Sequence, residues 1–141
     1  RYDGNGDCLV ENQMLLDHWG ELAGALYQYR HTLNCLDADE DSSFSIVNVH
    51  LYTDVFYILK PALEYMSFKN VSFRNNGFPR QCVVIALDLF RKNPRLESFS
   101  LSRNGIESRD DVNSLCEIIE CHPALQGISL DGCFDRSDYS F

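Results

Sequence analysis

Apolar residues in the second half of the chain fall on a fixed spacing. Leu96, Phe99, Leu101, Asn104 and Ile106 stand three, two, three and two residues apart. Leu125, Ile128, Leu130 and Cys133 repeat the first four positions 29 residues later. Alternation through Phe99–Leu101 and Ile128–Leu130 predicts short strands with apolar side chains turned in. The asparagine or cysteine that follows turns inward, where it can bond backbone groups left open by the turn. Leu63, Met66, Phe68, Val71 and Phe73 fit the same spacing, with Val71 at the asparagine position. Leu33 and Leu36 begin a further copy, followed by the acidic run Asp37–Asp41, which reads as a solvated loop.

Between these frames the period changes to that of a helix. From Gln13 to Tyr29, the residues Met14, Leu15, Trp19, Leu22, Leu26 and Tyr29 make one apolar face. Val49–Leu59 is a second apolar segment, carrying Tyr52, Phe56 and Leu59. Arg74–Pro79, with Asn76-Gly77, reads as a turn or loop. A helix over Gln81–Lys92 turns Ile85, Leu89 and Phe90 inward, and one over Asp111–Glu120 buries Val112, Leu115, Ile118 and Ile119. Pro61, Pro94 and Pro123 each stand two residues before a frame leucine, where proline ends a helix and fixes the approach to a strand. Frame leucines at 33, 63, 96 and 125 are 30, 33 and 29 residues apart. This is the pattern of helix-containing leucine-rich repeats. The expected fold is an α/β leucine-rich repeat solenoid of about four repeats, with parallel strands on the concave face and helices on the convex face. Residues 1–141 read as one such domain, a fragment of a longer multidomain protein, with a last repeat whose edge another domain or a partner covers.

In that frame the residues between the apolar positions point out of the concave face. One row is Cys35, Tyr65, Ser98 and Gly127; the next is Asp37, Ser67, Ser100 and Ser129; the third is Asp39, Lys69, Ser102 and Asp131. Tyr65, Ser67, Lys69, Ser98, Ser100, Ser102, Ser129 and Asp131 are therefore the candidate partner-binding residues, with small serines leaving room for an approaching backbone or helix.

Charge divides the chain. Twelve basic residues against 21 acidic give a net charge of −9, a poor fit to general polyanion binding. Yet Lys69 to Arg109 holds eight basic residues against Asp88, Glu97 and Glu107. Lys69 and Arg103 are the candidate phosphate contacts within this basic island. No apolar run approaches membrane-spanning length, so no membrane association is expected.

Catalytic and metal motifs are missing from the sequence. There is no G-x-S-x-G, P-loop, H-E-x-x-H or dinucleotide fingerprint. Asp3, Asn5 and Asp7 have calcium-loop spacing, but Cys8 stands where the glycine belongs and Met14 where the bidentate glutamate belongs. Cys116 and Cys121, five apart on a helix, point in different directions, and Cys133 belongs inside its turn, so no zinc set with His122 is expected. His18, His31, His50 and His122 lack an evident nucleophile or carboxylate partner. The six cysteines lack the density of a secreted disulfide scaffold, which points to thiols in an intracellular compartment. The expectation is no enzyme, no metal and no cofactor.

Several stretches resemble the leucine-rich repeat domain of TAP-like nuclear RNA export factors. Arg1-Tyr2-Asp3-Gly4 looks like the R-Y-D-G that opens that domain. Arg80-Gln81-Cys82 and Asn93 through Asn104 are similar to its second helix and strand. Asp110-Asp111-Val112-Asn113-Ser114 resembles its D-D-M-S-S segment, and Leu130-Asp131-Gly132 the L-D-G of a later strand. The resemblance covers about half of the chain. It implies a nuclear protein, with possible shuttling to the cytoplasm, in which this module follows an RNA-recognition domain and precedes an NTF2-like domain. It also implies a non-enzymatic role supporting RNA cargo or adaptor-protein binding, in mRNA export or RNA-directed nuclear silencing. The competing expectation is a general intracellular repeat scaffold or inhibitor that binds a basic protein.

Overall fold

The computed structural model describes residues 13–33 and 42–134. Four helices alternate with four three-residue strands: α1 (Gln13–Leu33), β1 (Ser43–Ser45), α2 (Thr53–Met66), β2 (Asn70–Ser72), α3 (Arg80–Lys92), β3 (Ser98–Ser100), α4 (Arg109–Cys121) and β4 (Gly127–Ser129). The strands form one parallel sheet in the order β1-β2-β3-β4. Parallel neighbours need a crossover, and a helix supplies each one. Phe44 pairs with Val71, Val71 with Phe99 and Phe99 with Ile128, at intervals of 27, 28 and 29 residues. Each helix packs against the next, α1 on α2, α2 on α3 and α3 on α4. The expected α/β class with parallel strands is what the chain adopts.

The first two frames lie elsewhere than expected. Leu33 ends α1 instead of opening a strand, and β1 begins ten residues later at Ser43. Cys35, Leu36, Asp37 and Asp39 lie outside the described residues, as do the R-Y-D-G opening and the 3–7 acidic spacing. Leu63 and Met66 belong to α2. The second frame is Phe68, Val71, Phe73, Asn76 and Phe78, five residues later, and it does contain its asparagine. Pro61 lies inside α2 instead of ending it. Its missing N–H leaves the Tyr57 carbonyl unbonded within the helix, but both residues are on the exposed side, where water can bond that carbonyl. The helix ends at Ser67, whose left-handed backbone (φ 50°) directs its N–H to the Leu63 carbonyl.

The interior is built largely from phenylalanine. Phe56, Phe73 and Phe90 are fully buried, and Phe90 stacks on Phe99 with ring centroids 4.2 Å apart. Phe73 meets Phe56 edge-on at 5.2 Å and Phe78 at 5.7 Å. Rings of this size span from helix to strand across the layer and anchor the two together. On α1 the half-buried Leu16, Trp19 and Leu26 flank buried Ala23, while Leu15, Leu22 and Tyr29 are exposed. The expected apolar face was too wide, because α1 docks on α2 alone and only part of its circumference is covered. On α4 Leu115 and Ile118 are buried as expected, Val112 is half-buried, and Ile119 is exposed.

An asparagine ladder ties unit to unit. Asn104 accepts at Oδ1 from the N–H groups of Asn76 (3.0 Å) and Phe78 (3.4 Å), and donates from Nδ2 to the carbonyls of Phe73 and Leu101. Asn76 repeats the arrangement one unit earlier, accepting from Val49 N–H at 3.1 Å and donating to the Ile46 carbonyl at 2.7 Å. These bonds satisfy turn groups that the strands leave unpaired. One position before each inward residue of the last three frames, Asn75, Arg103 and Gly132 adopt positive φ (55°, 61° and 71°), as Asn48 does at 62° in the first unit. Asparagine and glycine tolerate that region; arginine is the departure.

Candidate interaction surface

Because the helices cover one side of the sheet, the other carries the residues that alternate with the buried ones. Two rows cross it in register. The first is Ser43, Asn70, Ser98 and Gly127, and the second is Ser45, Ser72, Ser100 and Ser129. Between them Phe44, Val71, Phe99 and Ile128 form the floor of a trough of about 470 Å³. No strand residue of this face is charged. Hydroxyl and amide groups join the strands. Ser98 Oγ donates to Asn70 Oδ1 at 2.5 Å, and Asn70 Nδ2 donates to Ser43 Oγ at 3.4 Å. Farther along, Ser100 Oγ donates to Ser102 Oγ at 3.2 Å, and Ser102 and Ser129 share a hydroxyl hydrogen bond of 2.8 Å.

Of the predicted partner-binding residues, Ser98, Ser100 and Ser129 lie on this open face. Ser102 is only 4% exposed, drawn under by its two hydroxyl contacts, and Asp131 is exposed in the turn after β4. Three placements need correction. Tyr65 is on α2, where its ring lies 5.2 Å from that of Tyr27 on α1. Ser67 caps α2, with its hydroxyl donating to the Glu64 carbonyl. Lys69 precedes β2 instead of lying on the concave strand face. The five-residue shift of the second frame puts Asn70, Ser72 and Arg74 in their places. The same shift separates the two predicted phosphate contacts. Lys69 stands before β2 and Arg103 after β3, so they sit at opposite ends of parallel strands and do not address a phosphate from one side. Arg74 and Arg103, both exposed, share the C-terminal end.

A signal for the missed residues was present. Ser43-Phe44-Ser45-Ile46, Asn70-Val71-Ser72-Phe73, Ser98-Phe99-Ser100-Leu101 and Gly127-Ile128-Ser129-Leu130 all carry serine between two apolar residues. That shared serine marks all four strands, whereas the leucine spacing marks only two.

The candidate chemical groups are dispersed. Cys82, Cys116, Cys121 and Cys133 are free thiols, the first and last buried and the other two exposed. Burial pushes the Cys82 thiol up to about 12, opposed by Thr53 and reinforced by Asp54. Burial also raises Cys133, against the hydrogen bonding of the Asn104 and Arg103 backbone. Both thiols are held neutral, the opposite of what a nucleophile or metal ligand needs. Among the described residues, no three His, Cys, Asp or Glu side chains converge on a metal position. No described helix is long and apolar enough to cross a membrane. His122 has a structural role: its Nε2 lies 2.7 Å from the Asn93 carbonyl and its Nδ1 accepts from Ala124 N–H at 3.2 Å. That pairing puts the ring proton on Nε2.

No family model matches the chain, and neither curated proteins nor solved structures provide a match.

Proposed function

We propose that the protein is a leucine-rich repeat solenoid acting as a non-enzymatic recognition module of a nuclear RNA export factor-like protein, and that its open sheet face holds a segment of an adaptor protein. The observation that carries this reading is the uncharged lattice of Ser45, Ser72, Ser100 and Ser129 with Asn70 and Ser98. Small hydroxyl and amide groups let a partner backbone come close and offer it both donors and acceptors. The strand frame, the interval of 27 to 29 residues and the asparagine ladder support the repeat assignment. The sequence resemblance supports the export-factor setting. Recruitment should fail when the trough is filled. Adaptor pull-down with the full protein carrying Ser72→Arg or Ser100→Arg should lose the adaptor, whereas Ser67→Arg, on the α2 cap, should retain it. Equal retention by all three variants would remove the open face from the reading.

A second reading has its own observation. Arg74 and Arg103 stand exposed at the same end of neighbouring strands, inside the basic middle of the chain. Two cations so placed suit an RNA backbone running along the strand ends, beside the neighbouring RNA-binding domain.

A further inference from the structure

The third residues of α2, α3 and α4 are Val55, Cys82 and Asp111. All three are buried, at 1%, 0% and 5% exposure. The fold thus uses this helix position for an apolar or thiol group, and α4 puts a carboxylate there. Its Oδ2 takes no hydrogen bond. The nearest cation is Arg80, whose Nε stands 3.7 Å away, beyond hydrogen-bond reach, while its NH2 bonds Ser108 at 3.0 Å. A buried carboxylate oxygen so poorly served is costly unless something completes it.

Asp111 lines a cleft of about 230 Å³ on the helical side of the molecule. Val84 and Leu87 give this cleft an apolar wall, and Asp88 and Ser114 add acceptors. The cations that border it are already engaged: Lys60 with Glu64 and Asp88, and Arg91 with Glu117. We propose that this cleft binds the side chain of a lysine on a partner protein, with its carbon stem along Val84 and Leu87 and its ammonium on Asp111. Lysine fits better than arginine. A compact ammonium with three donors can serve one buried oxygen plus a hydroxyl, whereas a guanidinium fork needs two coplanar acceptors. The chain's net charge of −9 favours the approach of such a partner. The site lies on the face opposite the serine lattice and stands independently of the role assigned there.

Amide-resolved NMR titration tests it, with n-butylammonium, Nα-acetyl-lysine N-methylamide and the neutral Nε-acetylated form of the latter as probes. The first two should give saturable shifts at Val84, Asp111 and Ser114, and the third none. Asp111→Asn should weaken binding at least tenfold. Arg80→Ala removes the internal competitor and should tighten binding, which keeps the proposal testable if the Asp111 variant does not fold. Shifts that grow without saturating, or that the neutral probe reproduces, would overturn the site. Binding of n-butylammonium without the lysine derivative would overturn the assignment to a protein side chain.

Discussion

Cys133 Sγ donates to the Leu101 carbonyl at 2.9 Å, which makes it the counterpart of Asn104 one unit earlier. The thiol makes one such bond where the amide makes four. The two positions are equivalent in the frame but unequal in what they hold together. Asn104→Ala orphans buried backbone groups of both its own unit and the one before. Each such group costs about 1–3 kcal/mol. Asn104→Ala should therefore lose about 3 kcal/mol or more, and Cys133→Ala about 1 kcal/mol. Urea denaturation of the two variants side by side measures the difference; equal losses would mean the ladder is not what joins the units.

Leu101 and Leu130 are likewise equivalent, yet Leu101 is fully buried and Leu130 half-buried. Leu101→Ala opens a cavity in a close-packed layer and should cost about 2–5 kcal/mol. Leu130→Ala should cost about half as much, because neighbours cover only part of its side chain. A Leu101 loss under about 0.5 kcal/mol, the range of surface sites, would reject the frame.

Arg103 stands at φ 61° in a series otherwise made of Asn48, Asn75 and Gly132. A left-handed conformation costs an L-residue roughly 1–2 kcal/mol. Arg103→Gly should raise stability by up to about 1 kcal/mol, since glycine's greater freedom in the unfolded chain offsets part of the relief. A thermal melt that falls instead would show that the arginine side chain contributes more than its backbone costs.

The thiols give a pH signature. Cys82 is held neutral up to about 12 in the folded chain, against 9.0 as its ordinary value. Between those limits the unfolded chain releases the proton first and so binds fewer protons than the folded one. The contribution of Cys82 is then fully present below about pH 9 and declines as pH rises toward about 12. Cys133 acts in the same direction. The alkaline loss should shrink in Cys82→Ala once referred to that variant's own neutral-pH stability. Alkylation of the native protein should modify Cys116 and Cys121 quickly and Cys82 and Cys133 slowly.

If RNA runs along the strand ends, Arg74→Glu with Arg103→Glu should flatten the salt dependence of its affinity. Each phosphate of a single strand that the protein ceases to neutralise lowers the slope by about 0.7. Lys69→Glu, at the other end of the strands, should leave the slope unchanged. Filter binding over a salt series, with the neighbouring RNA-binding domain present, compares them, and an unchanged slope in the double variant sinks the RNA reading.

The sequence disclosed the third and fourth units and misplaced the first two, for a physical reason. Around Leu96 a helix ends at Lys92 and the polar residues Glu97, Ser98, Ser100 and Ser102 separate the apolar ones, so one register fits. In the second unit Leu63, Met66, Phe68, Val71 and Phe73 satisfy the apolar spacing as well as Phe68, Val71, Phe73, Asn76 and Phe78 do. A step of three serves a helix end and a strand start equally, and Pro61 favoured the wrong choice because it sits where Pro94 and Pro123 do relative to a leucine. Only the inward amide of Asn76 separates the registers. Ser98, Ser100 and Ser129 were legible as surface residues since their strands were. Asn70 and Ser72 were not, because one slip of five residues moved their whole strand. Asp111 was hidden for another reason: a pair of acids in a first helical turn normally faces solvent and favours the helix dipole. Its burial depends on how α4 leans on α3.

The strand order has a consequence for how the chain comes together. Every strand pairs with its immediate successor, so the long-range partners are never more than about thirty residues apart, and units one and four need not meet. Most parallel sheets fold slowly because distant segments must find one another. Here each closure involves a loop of nearly the same modest length, and the entropy of one step barely differs from that of the next. Assembly can therefore start wherever a local pair is strongest and spread outward. The stacked rings of Phe73, Phe90 and Phe99 make the junction of the second and third units the natural seed.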